Sequence, residues 1–181
     1  MSILPDTEFA QRAAELEWIL CDADGVLTDG GLYYDRQGHN QLRFDARDGL
    51  GIKMAQLAGL KVGVLSGRSS SALERRATEL GLESLDMGVR DKHAGLEAFF
   101  QRHSTEARRI AFIGDDLPDL VVLQQSGHSY APSDAEHDVK DAVHRVLENS
   151  GGHGAVREMV EILLRARGDW ERLASRFTLD G

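Results

Sequence analysis

Residues 18–28 read Trp-Ile-Leu-Cys-Asp-Ala-Asp-Gly-Val-Leu-Thr: four apolar side chains that stop at an acidic turn bearing a glycine. A short apolar run closed by a turn signal is the pattern of a strand buried on both faces. The pattern returns twice. Lys61 to Leu65 is apolar after its first residue and runs into Ser66-Gly67-Arg68. Arg109 to Ile113 runs into Gly114-Asp115-Asp116-Leu117-Pro118-Asp119. Helical spacing fills the intervals, over residues 5–17, 50–58, 69–80, 92–103, 117–125 and 155–167. Serine stands near the start of the third of these helices, and Gly81 just beyond its end. Strands alternating with helices predict an α/β fold built on a parallel sheet. Residues 32–45 break the rhythm: a turn-like Arg36-Gln37-Gly38-His39 separates apolar stretches, which is a β-hairpin pattern. Residues 149–154, rich in Gly and Ser, are the candidate linker or flexible turn, and the last dozen residues are expected to pack on a neighbour or fray.

The 181 residues suit one domain over 1–181, with a flap at about 30–45. Hydrophobic residues at 41% and charged residues at 28% leave enough apolar surface for a core, which argues against disorder. No apolar run approaches the ~20 residues of a membrane span. A net charge of −9 disfavours nucleic acid and anionic membranes as partners. The single cysteine, Cys21, excludes a disulfide scaffold and a cysteine-ligated zinc site. Residues 1–8 lack a basic segment followed by an apolar run, so no signal peptide is expected and the cytoplasm is the default location.

Reactive residues sit at the ends of the strand-like runs, and ligands of open α/β sheets bind at the carboxyl ends of strands. If the three strands are neighbours, Asp22, Asp24, Ser66, Asp115, Asp116 and Asp119 converge on one crevice, with Lys92 at the start of a helix able to join them. Five carboxylates so close repel each other strongly, and a hard cation with oxygen ligands relieves this; Mg²⁺ is the usual choice beside phosphate. Other motifs fail. Counted from Asp22, the fifth and twelfth positions of a calcium loop are Val26 and Tyr33. Gly49-Leu50-Gly51 follows a charged segment rather than a strand, and no Gly-x-Ser-x-Gly elbow surrounds Ser66.

Asp-Ala-Asp-Gly-Val-Leu-Thr, Ser-Gly-Arg, Lys92 and Gly-Asp-Asp-Leu-Pro-Asp, in that order, resemble the four motifs of the haloacid dehalogenase (HAD) superfamily. The hairpin after the first motif, Arg47-Asp48-Gly49-Leu50-Gly51, Asp91-Lys92 and Gly151-Gly152-His153-Gly154-Ala155-Val156-Arg157-Glu158 resemble one branch of it, the 3-deoxy-D-manno-octulosonate 8-phosphate (KDO 8-phosphate) phosphatases of lipopolysaccharide precursor synthesis. The resemblance covers residues 19–164. It implies a three-layer Rossmann-like fold with a hairpin insert and no large cap. It also implies a Mg²⁺-dependent phosphatase in which Asp22 is the nucleophile, Asp24 the acid and base, and Ser66 and Lys92 bind the transferring phosphoryl group. Asp22, the carbonyl of Asp24 and Asp115 would hold the metal, with Asp116 and Asp119 holding its waters or orienting Lys92.

The same branch implies a small-molecule sugar-acid phosphate as the substrate. Asp24, Asp45, Ala46, Arg47, Asp48, Gly49, Lys53, Arg68, Arg76 and Lys92 are its implied binding residues. Lys53 and His153 depart from the branch, where arginine is frequent at both positions; at 53 a point charge replaces a planar fork. Arg68 favours the eight-carbon acid over the nine-carbon KDN 9-phosphate of a sister branch. A non-catalytic HAD-like module is the reading from another class; such modules lose residues that this chain keeps. A two-stranded hairpin is marginal alone, and Leu32, Tyr33, Leu42 and Phe44 give it apolar faces. The resemblance implies a homotetramer in which hairpins pair and one subunit's flank closes the next site.

Overall fold

A computed structural model describes residues 6–38 and 40–177. Pro5 at the start of the first expected helix, His39 of the expected turn and the last four residues lie outside the described residues.

In chain order, α1 (Asp6–Glu15) precedes β1 (Trp18–Cys21), and the hairpin strands β2 (Tyr33–Tyr34) and β3 (Asn40–Gln41) follow. Next come α2 (Ala46–Leu57), β4 (Lys61–Leu65), α3 (Ser71–Leu80), β5 (Ser84–Asp86), α4 (Lys92–His103) and β6 (Ile110–Ile113). Then follow α5 (Leu120–Leu123), β7 (His128–Ala131), α6 (His137–Ala142), β8 (Arg145–Val146), α7 (Ala155–Ala166) and α8 (Trp170–Ala174). Six parallel strands form one sheet in the order β5-β4-β1-β6-β7-β8.

Side chains alternate between the faces of each strand, and two cores result. Ile19 and Cys21 of β1 join Val62, Val64, Ala111 and Ile113 against Ile52 of α2 and Met159, Val160 and Leu163 of α7. Trp18 and Leu20 join Leu65, Ile110 and Phe112 against Leu96 and Phe99 of α4 and Val122 of α5. Helices thus cover both faces of the parallel sheet that the alternation predicts, giving the three-layer α/β architecture that the resemblance implies. Truncating a fully buried side chain such as Phe112 to alanine costs about 3–5 kcal/mol.

Helix ends follow local chemistry. Ser70 caps α3 through Leu73 N–H, and Gly81 closes it in the left-handed region at φ 60°. Asp91 caps α4 through Ala94 N–H. α2 begins four residues before its first expected position. Asp45 caps it by accepting Arg47 N–H at 2.7 Å, which makes the expected loop at 45–49 a cap and a first helical turn. The single helix expected at 117–125 is a 3₁₀ turn, Leu117–Asp119, followed by the one-turn α5. Residues 149–154 are no flexible linker: Gly151, Gly152 and Gly154 are buried, and Gly152 N–H donates to Val26 O at 2.8 Å. Beyond Gly168, among the described residues, Trp170 and Leu173 are buried, with Trp170 under the guanidinium groups of Arg157 (5.3 Å) and Arg165 (4.7 Å). The hairpin is two residues per strand, closed at its base by a bridge between Thr28 and Phe44.

Candidate active site at the carboxyl edge of the sheet

β1 lies between β4 and β6, with Cys21 level with Val64 and Ile113. The chain therefore leaves three adjacent strands at one edge, and the residues that follow them are neighbours in space. Asp22, Asp24, Ser66, Arg68, Lys92, Asp115, Asp116 and Asp119 line one open crevice of about 300 Å³. Lys92 arrives from another direction, as the first residue of α4.

The floor is a buried charge cluster. The Lys92 ammonium donates to Asp22 Oδ1 at 2.8 Å and to Asp119 Oδ1 at 2.5 Å, and all three side chains are buried. The other oxygen of Asp119 accepts the N–H groups of Asp115 (3.1 Å) and Asp116 (3.3 Å). Asp119 thus ties the acidic turn to the lysine. Burial pulls the Lys92 ammonium down, but Asp22 and Asp119 more than offset this and hold it above the ordinary lysine range. Burial raises Asp22 to about 6; the charge of Asp119 adds to the rise and Lys92 opposes it. Burial, reinforced by Asp22, Asp119 and Asp116, pushes Asp115 to about 8.

These raised carboxyls mark an anionic cluster that one lysine does not neutralise. Asp22, Asp115 and Asp119 each offer an oxygen, all within 4.8 Å of one another. That donor set fits a hard, oxygen-preferring divalent cation such as Mg²⁺. Asp119 lies inside the set rather than outside it, although its oxygens are already engaged by Lys92 and backbone N–H groups. Gly25 makes the cluster sterically possible. Its φ is +80°, and a Cβ there would sit 2.0 Å from Asp115 Oδ2.

The remaining crevice residues divide by exposure. Ser66 is buried and its Oγ accepts Arg68 N–H at 3.3 Å; the cap of α3 is Ser70, so Ser66 is not a helix cap. Asp24 is partly exposed and pairs with Arg68 Nε at 3.5 Å. Asp116 accepts the N–H of Leu117 at 2.7 Å.

The other expected substrate residues do not line this crevice within one chain. Asp45, Ala46, Arg47, Asp48 and Gly49 form the start of α2 instead. Asp48 is 2% exposed and both its oxygens accept backbone N–H groups, from Gly154 (3.2 Å) and Arg157 (2.9 Å). Lys53 donates to Leu80 O at 2.6 Å. Arg76 packs over the Phe44 ring at 6.0 Å, pairs with Glu79 and crowds Gly49. α2 presents Asp48 to the first turn of α7 and Lys53 to the end of α3, Arg47 reaches His153 O, and Arg76, on α3, lies against Gly49 and Phe44. Gly25, Gly30, Gly67 and Pro118 also line the crevice and are not among the expected site residues. The signal for Gly25 is its place directly after Asp-x-Asp, where the acidic turn must let a second carboxylate approach.

A family model for haloacid dehalogenase-like hydrolases matches residues 88–159. The chain is 42% identical over 158 residues to the 3-deoxy-D-manno-octulosonate 8-phosphate phosphatase of Haemophilus influenzae, covering 87% of this chain and 88% of that protein. It is 37% identical to the Yersinia pestis phosphatase of the same name, covering 87% and 84%. Its fold matches the crystal structure of the Moraxella catarrhalis 3-deoxy-D-manno-octulosonate 8-phosphate phosphatase in complex with magnesium, phosphate and KDO. The TM-score there is 0.91 at 31% identity, covering 95% of this chain and 99% of that one.

Proposed function

The chain belongs to the haloacid dehalogenase-like hydrolases, in the family of 3-deoxy-D-manno-octulosonate 8-phosphate phosphatases, and from that premise we propose how its residues hydrolyse this phosphate monoester. The reaction releases KDO and inorganic phosphate and depends on Mg²⁺. The observation that carries the reading is the buried Asp22–Lys92–Asp119 triad with Asp115 beside it, at the carboxyl edge of the sheet.

Asp22 attacks the phosphorus. Its Oδ–P bond forms as the bond from phosphorus to the sugar oxygen breaks, and Asp24 gives that oxygen a proton. Asp24 then takes a proton from water, which attacks the aspartyl-phosphate and frees phosphate. Ser66 and Lys92 hold the equatorial oxygens, where charge concentrates. Lys92 keeps Asp22 oriented and ionised, and Asp119 keeps Lys92 in place. Asp22, Asp115 and the carbonyl of Asp24 would hold Mg²⁺, with Asp116 positioned for its waters; the cation supplies charge neutralisation for the phosphate. Arg68 would receive the sugar carboxylate, a role supported by its lining the crevice with a side chain 45% exposed.

We propose further that residues 1–181 form one domain with the hairpin as its flap, and that the enzyme is a cytoplasmic homotetramer. Exposed Leu32 (50%), Tyr33 (48%) and Tyr34 (61%) on the hairpin support association, because such apolar side chains favour burial against another surface. The buried, unpaired Cys21 is compatible with a reducing compartment. Among the described residues no helix is long and apolar enough to cross a membrane.

Phosphate release with Mg²⁺ from KDO 8-phosphate, KDN 9-phosphate and a hexose 6-phosphate tests the substrate. A preference of about a hundredfold for the eight-carbon acid, roughly 3 kcal/mol of transition-state discrimination, is expected. Equal turnover of all three would overturn the substrate while leaving the chemistry.

A further inference from the structure

Three side chains of one short segment grip the backbone of another that lies far away in sequence. Arg43 Nη1 donates to Gly152 O at 2.7 Å, and Arg47 Nη2 donates to His153 O at 2.7 Å. Asp48 accepts Gly154 N–H and Arg157 N–H at 3.2 and 2.9 Å. Asp45 fixes the arginine in turn, accepting from Arg47 Nε at 3.2 Å and Nη2 at 3.0 Å. α7 has no side-chain cap of its own at Gly154, so Asp48 supplies the missing acceptor from the other side of the fold.

The gripped segment has a second face. Gly152 N–H donates to Val26 O at 2.8 Å, and Gly151 lies so close to the acidic turn that a Cβ on it would be 1.8 Å from Gly25 O. Asp134 holds Gly151 from the side, accepting its N–H at 2.9 Å. Gly25 and Val26 directly follow Asp24 in the loop that begins at Asp22. A continuous chain of backbone contacts therefore runs from Arg43, Arg47 and Asp48, through residues 151–154, to the back of that loop.

We infer that Arg43, Arg47 and Asp48 are positioning residues for the loop carrying Asp22 and Asp24, acting through the backbone of residues 151–154. Their role differs from the substrate contact that their place in the sequence suggests. An attacking carboxylate and a proton donor on one short loop need their relative placement held to a fraction of an ångström. The loop's own hydrogen bonds to Ala23 O fix its turn. The glycine segment buttresses its outer side, and the three charged side chains fix the buttress. This inference rests on the phosphatase reading only for the identity of the loop.

The test compares Arg43→Ala, Arg47→Ala, Arg47→Lys and Asp48→Asn with the unaltered full-length protein. Each is assayed with Mg²⁺ on p-nitrophenyl phosphate and on KDO 8-phosphate, together with amide hydrogen exchange over residues 22–30. The expected result is a kcat about 10- to 100-fold lower on both substrates at nearly constant KM. Faster exchange in 22–30 should accompany it, with partial rescue by Arg47→Lys. A raised KM confined to KDO 8-phosphate, with exchange unchanged, would make these residues substrate contacts and overturn the inference. A lower melting temperature with kcat and 22–30 exchange unchanged would leave them merely structural and overturn it equally. Should the unaltered protein hydrolyse the aryl ester but not KDO 8-phosphate, the substrate assignment falls. The aryl ester and exchange readouts still decide the inference.

Discussion

The Lys92 ammonium stands 2.8 Å from Asp22 Oδ1 in a site where both side chains are buried, so the charge state of each depends on the other. Removing the lysine leaves Asp22, Asp115 and Asp119 facing one another without their bridging cation. Breaking a buried pair by deleting one partner costs about 3–5 kcal/mol. In a chain of this size Lys92→Ala should lower the melting temperature by roughly 6–15 °C in EDTA at pH 8. Added Mg²⁺ should recover part of the loss, because it neutralises the same carboxylates. Melting curves with and without the cation check this, and a variant as stable as the parent in EDTA would contradict it.

Asp115 gives a signature of metal binding. With its carboxyl raised to about 8, it carries a proton in most metal-free molecules at pH 7. A cation must displace that proton. Mg²⁺ binding at pH 7 should release close to one proton, and the apparent affinity should strengthen about tenfold per pH unit up to pH ~8. The linked stability runs the other way in metal-free protein. A carboxyl raised on folding favours the fold at low pH, and that contribution is lost as pH rises through about 8. Calorimetric titration in two buffers of different ionisation enthalpy measures the proton count directly. Binding heats independent of buffer would exclude Asp115 as a ligand.

What the sequence could reveal followed from how strongly each segment is marked. Trp18–Cys21 and Lys61–Leu65 are uninterrupted apolar runs ending in turn residues, and their expected bounds match the strands. Lys92–His103 matches because Asp91 and the apolar spacing agree. β7 is not legible in the sequence because His128-Ser129-Tyr130-Ala131 looks polar, yet all four residues are buried. Its Ser129 is satisfied by His144, fifteen residues on, a pairing that no local pattern announces. β5, β8 and α6 are too short for periodicity to register. For the site, the acidic turns were legible because consecutive carboxylates behind apolar runs are hard to explain otherwise. The direction of Asp48 and Lys53 was not, since it depends on a helix start set by the capping geometry of Asp45.

Arg68 separates substrate recognition from chemistry. Its Nε lies 3.5 Å from Asp24 Oδ2 while its side chain is 45% exposed, so it can reach a ligand carboxylate at the crevice mouth. Hydrogen bonds to charged groups contribute about 1.5–3 kcal/mol. Arg68→Ala should therefore raise KM for KDO 8-phosphate by roughly 10- to 100-fold. The KM for p-nitrophenyl phosphate, which has no carboxylate, should change far less. Equal effects on both substrates would show that Arg68 serves the phosphoryl group or Asp24 instead.

His128 sets an acid limit on the fold that is independent of the active site. It is fully buried on β7, with the Phe9 ring edge-on at 4.6 Å, Tyr130 at 6.3 Å and His144 at 6.4 Å. Neither ring nitrogen has a hydrogen-bond partner among the described residues. Burial, with the charges of His144, Arg12 and Arg145 adding, lowers its pKa from 6.5 to about 4. A histidine lowered on folding is neutral in both states above pH 6.5. As pH falls below 6.5 the unfolded chain takes up a proton that the fold refuses, and stability declines until about pH 4. The full loss is about 3 kcal/mol at most. His128→Leu removes the titrating ring at similar volume, so its stability should decline less steeply than the parent's between pH 6.5 and 4. Denaturant melts at half-unit pH steps, analysed as the difference between the two proteins, separate the histidine's contribution from that of the active-site carboxyls, whose linkage has the opposite sign. Parallel acid limbs would place the histidine's proton in the folded state and remove this account of the cluster beneath α1.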